Sequence, residues 1–192
     1  MKQMAARQTL SDVDLARYAD EHMYYEIEMF FAAGNLVGSG SVDQRMQNAF
    51  VESFILHARN LIMLFFHPRK IRQYDVIADD FFTNPIDWKS VRPRMSPTIQ
   101  SALDRADKEL AHLTTQRISG SPAVKNWDAN QVTTALIPVI EKFVDGADPH
   151  RLLKSTADKI RNLLKPAPVT MVSTPGILAC VPGLTRTSFP IL

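Results

Sequence analysis

A chain of 192 residues has room for one hydrophobic core. Its formal net charge of +2 lacks the positive excess that broad, non-specific nucleic-acid binding requires, while leaving a local basic patch open. Hydrophobic residues make up 45%, which excludes a wholly disordered chain, and the single cysteine, Cys180, excludes an intrachain disulfide. The first residues lack the apolar core of a signal peptide, and the longest apolar region is interrupted by Glu52, Ser53, His57, Arg59 and Asn60. A soluble, cytoplasmic protein outside the membrane is expected.

The first helix is expected from about Asp12 to Ala33, with Ser11 as N-cap and Asp14 in the first turn. Leu15, Ala19, Met23, Ile27 and Phe30 recur at helical spacing and form one stripe. The glycines of "GNLVGSGS" end it. A second helix is expected after Ser41 and before Pro68. Phe50, Val51, Phe54, Ile55, Ala58, Leu61, Ile62 and Phe65 share its broad core arc. The rest of its surface carries Arg45, Asn48, Glu52 and Arg59 on one side and Ser53, His57 and Asn60 on the other. Leu56, Met63, Leu64 and Phe66 are mixed among them, so this helix should be central or should meet a second subunit.

Residues 68–95 form a connection too long to lack packing or function of its own, and Phe81, Phe82 and Trp88 should pin it to the bundle. Ser96 and Pro97 start a third helix, with Ile99, Ala102, Ala106, Leu110 and Leu113 as its apolar stripe. A fourth follows over about Asp128 to Val144, with Val132, Ala135, Leu136, Val139, Ile140 and Phe143 inward. Pro138 inside it should remove the bond to Thr134 or kink the helix. A fifth should start after Asp148, with Pro149 at its first position and Leu153, Ala157, Ile160 and Leu164 facing the core. Residues 166–192 hold 5 of the 12 prolines and few charges and read as a loose tail. The expected architecture is all-α: a bundle of about five helices over residues 1–165, followed by that tail.

Chemistry centres on "DRADKELAHLT", residues 104–114. Arg105 and His112 are nearly two turns apart on one helix side, about 10 Å along the axis, and share a stripe with Ser101 and Lys108. A solvated polar face is the plainer explanation. The functional one places an arginine on a phosphate and a histidine as a proton carrier in RNA cleavage without a metal. In "LHARN", Glu52 and Arg59 lie two turns apart on one side and can join His57 in a polar network. Arg59 is the natural partner of Asp79, Asp80 or Asp87, fastening the connection. Arg69, Lys70 and Arg72 in "HPRKIRQ" make a basic turn at a helix end. Glu109 and His112 have the spacing of one di-iron ligand pair, but no second such pair exists, so no metal or cofactor is expected.

An arginine and a histidine separated by four to six residues in a helical domain resemble the HEPN superfamily. "NAFVESFILHARNLIMLFF" (Asn48 to Phe66), "DDFF", "DWKSVRPRM" and "DKELAHLT" are together similar to a set of uncharacterised bacterial HEPN-like proteins, over roughly residues 41–160. The resemblance implies an all-α bundle, a homodimer with the motif at the interface, and in many members a metal-independent ribonuclease of toxin–antitoxin or defence systems, paired with a cognate antitoxin. Arg105 would then bind the scissile phosphate and His112 would act as general acid/base. Lys108, Arg69, Lys70 and Arg72 would contact RNA. Other members are non-catalytic helical interaction or RNA-binding modules. Ala106 stands where active members commonly carry a polar residue.

Overall fold

The computed structural model describes residues 7–37, 43–68, 70–83, 85–110 and 127–165, and among these every regular element is helical. Its elements are α1 (Asp12–Tyr18), a π segment (Ala19–Met23), α2 (Tyr24–Leu36), α3 (Gln44–Phe66), a 3-10 turn (Ala78–Phe81), α4 (Pro85–Val91), α5 (Pro97–Arg105), a second π segment (Ala106–Leu110), α6 (Ala129–Gly146) and α7 (Lys154–Leu164). The expected all-α bundle is what forms. The expected tail, residues 166–192, lies outside the described residues.

α1, the first π segment and α2 run on as one helix. The Ser11 hydroxyl accepts from the Asp14 N–H at 3.1 Å, and Asp12 and Asp14 sit in the first turn, where the helix dipole favours negative charge. The π segment has a sequence reason. Leu15, Ala19, Met23 and Ile27 follow one another at four-residue steps, and in a regular helix each step would rotate the stripe by about 40°. The wider π turn takes up that rotation, and all four side chains are buried. Thr156 and Lys159 of α7 each donate to Asp20 Oδ1 at 2.8 Å, tying the π segment to the far side of the bundle.

α2 and α3 pair antiparallel, with Glu26 opposite His57 and Phe30 stacked on Phe54. Gly34 lets them close up: a Cβ there would lie 3.1 Å from the Phe54 ring. Asp43 caps α3, accepting from the Met46 N–H at 3.0 Å. Phe54, Ile55, Ala58, Leu61, Ile62 and Phe65 are buried as the arc predicts, and so are Leu64, Phe66 and His57, which the arc leaves out. They are covered because α3 is wrapped on more than one side, by α2, α5 and the connection. α3 is long and apolar enough to cross a membrane, and half of its apolar window is buried inside the bundle.

The connection is packed as expected. Phe81, Phe82 and Trp88 join Phe65 and Phe143 in one aromatic cluster. Trp88 Nε1 donates to the Phe65 carbonyl at 2.8 Å, and the Arg92 guanidinium donates to the carbonyls of Phe65 and Phe66 at 3.3 Å each. These bonds satisfy carbonyls that the end of α3 leaves without a helical partner. His67 ends α3 at φ 32°, a left-handed conformation that a side chain adopts at a cost of about 1–2 kcal/mol. Its Nε2 meets Asp79 Oδ2 at 2.6 Å, which holds the turn closed.

Ser96 caps α5 with Pro97 at its first position. In α6, Val132, Leu136, Val139, Ile140 and Phe143 are buried, and the helix continues through Pro138, whose side is exposed. One boundary differs. The last helix begins at Lys154, not at Pro149, because Asp148 first organises a turn. Its carboxylate accepts from the His150 N–H at 2.8 Å, and its carbonyl accepts from Arg151 and Leu152 at 2.9 and 2.8 Å. Leu152 is therefore buried, and Leu153, expected inward, is exposed.

Candidate functional site

A cleft of about 390 Å³ opens where α2, α3 and the start of the connection meet. α3 contributes Arg59, Asn60 and Met63; the end of the first helix segment and α2 contribute Tyr18 and Glu26; the connection contributes Lys70, Arg72, Tyr74 and Asp75. Three cations, two carboxylates and two tyrosines thus line one space. Arg72 and Asp75 are held in a tight turn, the Asp75 carboxylate accepting the Arg72 N–H at 2.7 Å. Burial raises the Tyr18 phenol above its ordinary range, and Glu26 and Asp75 add to the effect, so it stays a neutral hydrogen-bonding group.

Glu26 is the anchored acid of this cleft. Its Oε2 meets Nδ1 of His57 at 2.7 Å and accepts from Nδ2 of Asn60 at 3.1 Å. His57 is buried, and the Tyr25 ring lies edge-on to it at 5.7 Å. The α3 positions 57 and 60 are three apart, so both reach the same side of the helix and the same oxygen. Glu52, expected to share a network with His57 and Arg59, is exposed and stands apart from them.

Among the described residues, Arg59 pairs with neither Asp79 nor Asp80. Its Nε donates to Asp107 Oδ1 at 2.9 Å, across from α3 to the second π segment. Asp79 is held by His67 and Asp80 by Arg7, and the Asp87 side chain lies outside the described residues. The π segment explains the partner. It keeps Ala106 and Asp107 both turned towards the core, at 2% and 8% exposure, so the Asp107 carboxylate, not one of the connection's, meets Arg59.

The motif itself is partly in view. Arg105 is half-buried, its guanidinium 4.2 Å from the centre of the Trp127 ring. Ser101 and Lys108 are exposed, as the polar stripe predicts. His112 and Arg69 lie outside the described residues, as do the side chains of Glu109 and Leu110. Lys70 and Arg72 share the cleft with Arg59; Lys108 does not line it. Sequence reasoning missed Glu26, Asp107, Tyr18 and Tyr74, and saw Asn60 without a place for it. The i, i+3 pair His57 and Asn60 was the usable signal, but their common partner is 34 residues from Asn60 along the chain. Among the described residues no three histidine, cysteine or acidic side chains converge as metal ligands do.

Compared with protein-family models, with curated proteins and with solved structures, the chain finds no match.

Proposed function

We propose that the protein acts on RNA as a HEPN-like helical protein, with the backbone of a single strand lying in the cleft. Arg59, Lys70 and Arg72 take phosphates, and Tyr18 and Tyr74 offer rings to unstacked bases. The supporting observation is the double engagement of Arg59. It lines the cleft and also binds Asp107, which stands inside the Arg105–His112 interval. Cleft and motif are thereby coupled through one side chain. In this reading Arg105 holds the scissile phosphate, His112 moves the proton, no metal takes part, and a homodimer completes the site. A toxin or defence component of the cytoplasm, restrained by a cognate antitoxin, fits that chemistry.

A specific observation favours the non-catalytic reading beside it. Arg105 is already engaged by Trp127, and Ala106 is packed in the core, so the motif can serve stability alone. Purified protein incubated with labelled RNA and excess chelator separates the two. Cleavage that survives chelation and stops in His112→Ala supports the ribonuclease. Salt-dependent binding without cleavage supports the module. Absence of binding at low salt, or binding untouched by Arg72→Glu, removes the RNA reading.

A further inference from the structure

The mechanism just proposed leaves unused the most strongly positioned ionisable group of the cleft. Glu26 receives both of its hydrogen bonds on one oxygen, Oε2, from His57 at 2.7 Å and Asn60 at 3.1 Å. Those two donors fix the plane of the carboxylate. Among the described residues Oε1 carries no hydrogen bond, and the side chain, 28% exposed, lines the cleft with Arg59, Lys70 and Arg72. A carboxylate whose only role was to satisfy His57 would be enclosed with it, as Asp79 is enclosed with His67 at 5% exposure. Glu26 is instead held from behind and open in front. It shares the cleft lining with the cations that would carry a phosphodiester.

We infer that Glu26, in place of His112, is the general base for RNA cleavage in this cleft, accepting the proton of a ribose 2′-hydroxyl, with Arg59 and Arg72 in place of Arg105 on the scissile phosphate; the inference rests only on the cleft being the RNA site. In the step, Glu26 Oε1 takes the proton from O2′. O2′ forms a bond to phosphorus, and the bond from phosphorus to O5′ breaks. O5′ takes a proton from water, and the hydroxide so formed takes the proton back from Glu26. The products are a 2′,3′-cyclic phosphate and a 5′-hydroxyl, and no oxidant, metal or cofactor enters the balance. Arg59 and Arg72 hold the phosphate oxygens as negative charge gathers there. His57 and Asn60 are positioning residues. They keep Oε1 turned to the cleft, and the donor on Oε2 steadies the carboxylate against rotation. The substrate class is RNA with an intact 2′-hydroxyl. DNA of the same sequence would bind through its phosphates and remain uncut.

The test compares the wild-type protein with Glu26→Gln and Glu26→Asp, on one fluorescent single-stranded RNA and on the same strand carrying a single 2′-deoxy nucleotide at the cut site. Binding is read by anisotropy and cleavage by gel, both in excess chelator, with a thermal melt of each variant. The expected result is unchanged binding by Glu26→Gln with cleavage slowed on the order of 100-fold or more, the range general-base removal produces. Glu26→Asp should keep part of the rate. The 2′-deoxy strand should bind and resist. Wild-type rates in Glu26→Gln overturn the inference. Binding by the wild type with no cleavage also overturns it while leaving the RNA-binding reading intact. Failure of the wild type to bind RNA at all removes that reading and this one together.

Discussion

At the scale of single residues, the molecule spends its polar groups on fastening distant segments. His57 is buried and its bond to Glu26 is the reason it can be. Replacing Glu26 by Ala should lower stability by about 1–3 kcal/mol, because a buried imidazole is left without its acceptor, whereas the isosteric Glu26→Gln should lose less. Urea titrations of the two variants would measure the difference. Asp148 supplies a pH dependence. The Thr83 hydroxyl, first, and the His150 N–H hold its carboxyl below the ordinary range. A group depressed in the folded state adds stability above its unfolded pKa of about 3.9 and loses it as pH falls towards the lower folded value. Asp20, depressed by Lys159 and then Thr156, acts in the same direction. The urea midpoint should therefore fall as pH drops below about 4, and the fall should be shallower in Asp148→Asn. An unchanged slope in that variant would show that the Thr83 bond contributes nothing to folding.

At the scale of elements, the two π segments set which side chains meet. Leu15, Ala19, Met23 and Ile27 stay on one face only because the turn between α1 and α2 is widened. Deleting Glu21, which is exposed, would convert their spacing to four, three and four, which a regular helix keeps on one face. The shortened protein should fold with its helical circular dichroism intact and a melting temperature lowered by less than about 10 °C. Deleting Leu56 from α3 should instead prevent folding, since every core residue beyond it would rotate by about 100°. Gly34 tests the approach of α2 to α3. Gly34→Ala places a methyl group 3.1 Å from the Phe54 ring, and that ring is fully buried against Phe30. Crowding of this kind lowers stability by about 1–3 kcal/mol, outweighing the helix propensity gained, and a thermal melt would register it.

At the scale of the whole molecule, one aromatic cluster joins the connection to the bundle. Phe143 lies within 6.0 Å, centre to centre, of Phe65, Phe81, Phe82 and Trp88. Phe143→Ala should cost about 3–5 kcal/mol and should loosen the connection as well as the core. Because that connection carries Lys70, Arg72 and Tyr74, the proposed RNA binding should weaken in the same variant without any change to a cleft residue, and anisotropy beside a urea titration would show both effects. Stability lost with RNA affinity kept would mean that the cleft is held together by α3 alone.

The helices, their caps and most of the core were legible in the chain itself. Ser11 and Ser96 announce helix starts through local chemistry, and the periodicity of Phe54, Leu61, Phe65, Val139 and Ile160 selects a buried face that forms as expected. These are short-range matters: a hydroxyl reaches three residues ahead, and a stripe repeats with every turn. What the chain could not disclose is which stripes face each other and at what register. Arg59 finds Asp107 across 48 residues and Glu26 finds His57 across 31, and nothing local distinguishes those carboxylates from the others. The start of α7 was misplaced for the same reason in miniature. Pro149 suits a first helical turn, yet Asp148 N–H donates to the Phe81 carbonyl and its carboxylate accepts from Thr83, bonds to a distant loop that commit it to a turn. Local spacing determined the elements; the packing of elements, through contacts too far apart in sequence to leave a pattern, decided where the cleft lies and which residues line it.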